Sequence, residues 1–166
     1  MMRLNIGGGT IKYSNCINFE LTKERDNHVD VLGDVRKGLP FADKSFNEVL
    51  MIHVIEHIER KYHEFVFNEI WRVLYDENSR LIMSFPDFLE CAKAFIENRY
   101  GQRWDLWIFT IYGRQDGIGD YHVTAIEKQD VTTRLFNAGF INVRYIKNRT
   151  NATVVAYKGE KLRRYY

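Results

Sequence analysis

The sequence predicts an α/β fold: a mostly parallel, Rossmann-like sheet closed by an antiparallel C-terminal hairpin. Three observations carry that expectation. Val49 to Val54 is an almost continuous apolar and β-branched run, suited to a strand buried on both faces. Leu4 to Ile6 runs directly into Gly7-Gly8-Gly9, a strand feeding a glycine loop. After residue 60 the pattern alternates between helical spacing and short apolar runs, as helices alternating with strands require. With 166 residues and 45% apolar content the chain is long enough for one domain with a sizeable core.

In chain order, Met1 to Ile6 is the first strand. The glycine loop after it lacks a glycine three residues past Gly9, where Lys12 stands, so it is no dinucleotide fingerprint. No Gly-Lys-Ser/Thr follows, which excludes a P-loop. Cys16 to Leu21 reads as a second strand, reached too soon for a crossover helix. Glu20 at its carboxyl end is placed to accept hydrogen bonds from two ribose hydroxyls, although a solvated strand-end glutamate would look the same. Val29 to Val35 is a third strand, with Asp34 near its end. The Val49–Val54 strand then delivers His53, Glu56, His57 and Glu59 together, into the crevice that open α/β sheets form beyond their strand ends.

Tyr62 to Tyr75 places Val66, Ile70, Val73 and Leu74 at helical spacing, an amphipathic helix for the sheet. Ser79 to Phe85 is the next strand, and Asp87 caps a helix from Phe88 to about Arg99. Tyr100 to His122 is punctuated by glycines and rich in aromatics, so it is expected as an ordered loop. Thr124 and Glu127 suggest a capping box for a helix ending at Ala138, with Gly139 as its stop. Ile141 to Ile146 and Thr153 to Lys158 form the closing hairpin. The domain spans residues 1–158, and 159–166 form a basic tail.

Cys16 and Cys91 are too few for a disulfide scaffold, and no apolar run or leader resembles a membrane span or signal peptide, so a cytoplasmic setting is expected. From Arg144 onward seven Lys/Arg face one Glu, a net +6, leaving −4 for residues 1–143 out of the overall +2. Such a tail can meet phosphates or an acidic partner. The five histidines have no cysteine partners and His53, Glu56 and His57 lack zincin spacing, so no metal site is expected.

Taken together, Leu4-Asn5-Ile6-Gly7-Gly8-Gly9, Asn18-Phe19-Glu20, Gly33-Asp34, Leu39-Pro40-Phe41 and His53-Val54-Ile55-Glu56-His57 resemble class I S-adenosylmethionine-dependent methyltransferases. The order and spacing look like the small methyltransferase-type-11 branch often found near polysaccharide genes. Glu69-Ile70-Trp71-Arg72-Val73-Leu74 and Ser84-Phe85-Pro86-Asp87 agree with it. Departures are Gly8 for the usual cysteine, Glu20 for aspartate, and Asp76-Glu77-Asn78-Ser79 for a Pro-Gly-Gly turn; the usual N-terminal cover helix is also expected to be lacking.

The resemblance implies an S-adenosylmethionine site from Asn5, Ile6, Gly7, Gly8, Gly9, Glu20, Asp34, Val35, Ile52 and His53. In it, Asp34 accepts from the adenine amino group, Val35 lies beside the ring and His53 shapes the methionine end. It also implies that residues 100–122 contribute to the acceptor pocket, with Trp104, Trp107, Tyr112 and Gln115 as contacts suited to a sugar. A hydrophobic lid or homodimer contact is the alternative for that loop. His57 and His122 are the candidates for a catalytic base. The acceptor expected is a saccharide or small-molecule hydroxyl or amine. A nucleic acid, suggested by the basic tail, is disfavoured because Ile52-His53-Val54-Ile55 replaces Asn/Asp-Pro-Pro-Tyr. A non-catalytic partner subunit is the third alternative.

Overall fold

The computed structural model describes residues 2–11, 13–23, 28–101, 103–117 and 119–160. The sheet is built from β1 (Arg3–Ile6), β2 (Cys16–Glu20), β3 (Val31–Leu32), β4 (Glu48–Ile52), β5 (Arg80–Pro86), β6 (Phe140–Asn148) and β7 (Asn151–Lys158). Its order is β3-β2-β1-β4-β5-β7-β6; the first five strands are parallel and β7 lies antiparallel between β5 and β6. The helices are α1 (His63–Val73), α2 (Phe88–Ile96), α3 (Trp104–Tyr112) and α4 (Lys128–Asn137). The expected Rossmann-like sheet with its antiparallel hairpin is therefore the observed one.

Strand order reverses between β1 and β4, so their carboxyl ends diverge to leave a crevice. β4 is buried along Glu48, Val49, Leu50 and Met51, as a central parallel strand should be. β5 alternates instead, with Leu81, Met83 and Phe85 inward. Against this face α1 packs Val66, Phe67, Ile70 and Val73, and α4 packs Val131 and Leu135.

Three local expectations are corrected. The third strand is two residues long, not seven, because the Asp34 carboxylate accepts from the Arg36 N–H and turns Val35–Lys37 into a 3₁₀ helix. Within 100–122, Trp104–Tyr112 is a helix, hidden from a search for periodicity because apolar residues fall on all but a narrow part of its circumference. The cap of α4 is Glu127, which accepts from Gln129 and Asp130 N–H; Thr124 Oγ1 instead donates to the Ile58 carbonyl.

The opposite end of the sheet is held by charge. Glu48 accepts from Arg3 at 2.7 Å and Arg80 at 2.7 Å, tying the starts of β1, β4 and β5. Burial pushes its carboxyl up, but hydrogen bonds from Arg80 and Arg3 outweigh it and hold the group below the usual range. A depressed carboxylate adds stability above its unfolded value, near 4.3, and loses it as pH falls through the folded value. Glu48→Gln should therefore cost about 1–3 kcal/mol at neutral pH, with the gap from wild type closing in acid. Denaturant melts at pH 7 and pH 3 would check this, and a gap that stays constant would refute it.

Candidate active site

A cleft of about 810 Å³ opens at the carboxyl ends of β1, β2 and β4. That volume falls in the range of small-molecule sites. Its floor is the glycine loop. Gly7 N–H donates to the Phe19 carbonyl at 2.9 Å and Gly9 N–H donates to Glu20 Oε1 at 3.1 Å, so loop and acidic residue hold each other. Glu20 is buried, and burial pushes its carboxyl up, against the N–H groups of Gly9 and Gly8 that lower it. Ile6, Gly8, Val35, Ile52 and His53 also line the cleft.

Two expected cofactor residues stand differently. Asn5 is not among the lining residues; it is buried beneath the loop, its Nδ2 donating to Asn18 Oδ1 at 3.0 Å. Asp34 lines the cleft but has both oxygens engaged by Arg36, which also reaches Glu59. The Arg36 hydrogen bonds hold the Asp34 carboxyl below its ordinary value.

At the other end, β4 stops in a tight turn. His53 takes a left-handed backbone conformation, φ 54°, uncommon for a non-glycine residue and concentrated at functional sites. Its Nδ1 meets Glu56 Oε1 at 3.0 Å, and this partner holds the imidazole above its usual value despite burial. The segment 122–124 closes over this turn: Val123 and Thr124 N–H both donate to the Glu56 carbonyl. His57 and His122, 65 positions apart, thereby face each other with ring centroids at 4.8 Å. His57 Nδ1 lies 2.9 Å from the Tyr121 carbonyl, and His122 Nδ1 3.1 Å from that of Thr110. Burial pushes His122 below the ordinary imidazole value.

Nothing in the sequence points to a metal-ligating cluster, yet the fold gathers three potential ligands here. One ligand atom each from Glu56, His57 and His122 lies within 4.8 Å of the others. Sequence spacing hid it, because His122 arrives from beyond α3.

The expected acceptor contacts are mostly elsewhere. Trp107 is buried, packed edge-on against Phe95 at 5.3 Å, and Trp104 is exposed beside the same Phe95. Neither they nor Gln115 line the cleft; Tyr112 lines a smaller cavity of about 160 Å³ beside it, shared with Glu56 and His122. Phe109, Arg114 and Tyr121 line the cleft instead. Choosing Phe109 over Trp107 needs the helix phase of α3, which its nearly all-round apolarity conceals.

Residues 12–79 match a family model described as a methyltransferase domain, of type 11. No curated protein matches the sequence. Solved structures similar to this chain include the PH0226 protein of Pyrococcus horikoshii, at 18% identity and TM-score 0.65, covering 95% of this chain and 81% of that one. An S-adenosylmethionine-dependent methyltransferase from Archaeoglobus fulgidus aligns at 14% identity and TM-score 0.64, covering 95% and 86%. Another from Methanosarcina mazei aligns at 15% and 0.60, covering 95% and 92%. At these identities the likeness is one of fold, and the sequence signal comes from the matched segment. Among the described residues no helix is long and apolar enough to cross a membrane. The matched segment and the shared fold are together consistent with a class I methyltransferase of type 11, for which S-adenosylmethionine is the expected cofactor.

Proposed function

We propose that the protein methylates a hydroxyl or amine on a saccharide or other small molecule. One observation carries this reading: the glycine loop with Glu20 and the His57–His122 pair line a single cleft. A cofactor at one end and an acceptor at the other would then meet in the middle. The residues fit S-adenosylmethionine: Gly7 keeps the cleft open beside Val54, whose Cγ2 a Cβ would meet at 2.6 Å, and Gly8 lets the loop lie flat over the buried Asn5, whose Nδ2 a Cβ would meet at 2.0 Å. The buried Glu20 carboxylate suits a ribose diol.

Bound there, S-adenosylmethionine would supply an electrophilic methyl on a sulfonium. The chain's contribution is mainly positional, since a near-attack geometry can supply much of the rate of an in-line displacement. Glu20, held in place by the loop N–H groups, would fix the nucleoside, Asp34 and Val35 the base, and His53 the methionine end. His57 and His122 would present imidazole Nε2 atoms to the acceptor, so that in the absence of any bound ion one of them could take its proton. Phe109 and Tyr121 offer ring faces for the CH faces of a sugar.

The lining favours small acceptors over nucleic acid. Among the described residues it carries four carboxylates, Glu20, Asp34, Glu59 and Asp120, against two arginines, Arg36 and Arg114, and no lysine. A groove tracking phosphates would be basic. The basic tail from residue 161 onward lies outside the described residues.

Calorimetry with S-adenosylmethionine and its demethylated product, followed by a labelled-methyl screen of saccharide and metabolite extracts, tests the proposal. Transfer to a small hydroxyl or amine is expected. Cofactor binding without any acceptor would favour a partner subunit, and labelled nucleic acid alone would overturn the acceptor class.

Glu20→Gln gives a sharper check. It keeps the shape but weakens acceptance from the ribose, and losing charged hydrogen bonds at about 1.5–3 kcal/mol each should weaken cofactor binding at least tenfold. Because burial raises this carboxyl, its ionised form costs stability; that cost vanishes below the unfolded value and is complete above the folded one. The cofactor-free variant should thus melt at or above wild type at pH 7, the difference closing in acid. A variant that melts earlier and binds normally would make Glu20 a scaffold residue.

A further inference from the structure

We propose that Glu56, His57 and His122 form a binding site for one divalent transition-metal ion at the acceptor end of the cleft. Glu56 is 2% exposed, with Oε1 against His53 and Oε2 without any hydrogen-bond partner. A buried carboxylate oxygen left bare is costly and calls for an occupant. The two imidazoles are already oriented for one. A carbonyl only accepts, so the bonds to the Tyr121 and Thr110 carbonyls place the proton of each ring on Nδ1 and leave the Nε2 lone pair free. Metal-ligating histidines are held in just this manner by backbone carbonyls.

The donor set, two imidazole nitrogens and one carboxylate oxygen, is that of open catalytic zinc and non-haem iron sites. Ligand atoms around such an ion, each at about 2.1 Å, sit roughly 3.4 Å apart when tetrahedral. The present spread of up to 4.8 Å therefore asks the side chains to close by roughly 1.4 Å. His57 and His122 line the main cleft, so the remaining coordination positions face the acceptor. His53, bonded to Glu56, is a positioning residue for the carboxylate.

The ion's role rests on the methyltransferase reading; its binding does not. With an acceptor hydroxyl on the ion, its acidity rises. The oxygen yields its proton to cleft water and forms the new O–C bond, and the C–S electron pair leaves with sulfur. The two imidazoles would then act by holding the ion, and not as bases.

The test is direct titration of the chelator-treated 166-residue chain with Zn²⁺ by calorimetry and with Co²⁺ by visible absorption. One ion per chain is expected, with ligand-field bands of a nitrogen–oxygen site. The melting temperature should rise as Zn²⁺ is added, by linkage. Glu56→Gln and His122→Asn should each weaken binding at least a hundredfold, and His53→Asn about tenfold or more. Absence of stoichiometric binding to the wild type overturns the site regardless of how the variants fold. So does binding that survives both ligand substitutions. Cofactor calorimetry on the metal-free protein separates the two readings. A chain that binds S-adenosylmethionine but no metal refutes only the ion. One that binds metal but no cofactor refutes only the methyltransferase role. Full methyl transfer after chelation would return the imidazoles to service as bases and overturn the ion's part in the reaction.

Discussion

Gly7→Val should abolish measurable S-adenosylmethionine binding, weakening it by at least about a hundredfold. Two independent effects combine. Gly7 sits at φ +66°, where a side chain costs roughly 1–2 kcal/mol, and a β-branched one more. Its Cβ would also lie 2.6 Å from Val54 Cγ2, a contact real structures do not tolerate. Val54 cannot swing away freely, because it links β4 to the 3₁₀ turn at Ile55–His57 and packs on the core. The loop must move instead, which pulls the Gly9 N–H from Glu20 and spoils the cradle. Since about 1.4 kcal/mol is a factor of ten in affinity, strain and displacement together pass a hundredfold. Calorimetry checks this, with a melting curve to show that the variant folds. Gly7→Ala combined with Val54→Ala should recover part of the binding, because the clash is relieved while the backbone strain stays. Unaltered binding in Gly7→Val would remove the glycine loop from the cofactor site.

Gly113→Ala is the second large effect, and it acts at the other end of the cleft. Gly113 has φ +79° and ψ −175°, a backbone region that glycine alone occupies readily. A Cβ there would fall 2.0 Å from the Asp120 carbonyl oxygen and 3.0 Å from the His122 backbone nitrogen. The bridge between Gly113 and Tyr121, and the His122 N–H bond to the Tyr112 carbonyl, must then break. His122 would leave His57 and Glu56 by an ångström or more. Misplacement on that scale costs on the order of a hundredfold in rate. Turnover with a genuine acceptor should fall accordingly, while cofactor affinity stays within a few-fold because the glycine loop is untouched. Unchanged turnover would show that His122 does not serve the reaction. Joint loss of cofactor binding would make the 113–122 loop a structural prop for the whole cleft.

These substitutions differ in how they are found. Gly7 is visible in the sequence, because three glycines directly after an apolar strand mark a place where backbone must come close to something. Gly113 looks like any loop glycine, and only the returning chain at Asp120 to His122 makes it irreplaceable. The same contrast separates Glu20 from Glu56. The first ends an apolar strand shortly after the glycines, so its place in the crevice follows from local spacing. The second sits on a short 3₁₀ turn, and its bare Oε2 becomes apparent only when neighbours from three segments are in place.

The frame of the molecule was legible residue by residue: most strand positions, the parallel order implied by glycines and acidic residues at strand ends, the closing hairpin and the glycine-loop end of the cleft. These rest on contacts near in sequence or on a periodicity that burial imposes, so the residues announce them. The histidine end of the cleft was settled by the folded chain. Packing set which face of the apolar α3 points inward, burying Trp107 while bringing Phe109 to the cleft. It also brought His122 to His57 and Glu56. A helix apolar around most of its circumference carries little phase, and a pairing between residues so distant in the chain carries no spacing. Both were fixed by where the chain had to return once Thr124 and Val123 were bonded to the turn after β4.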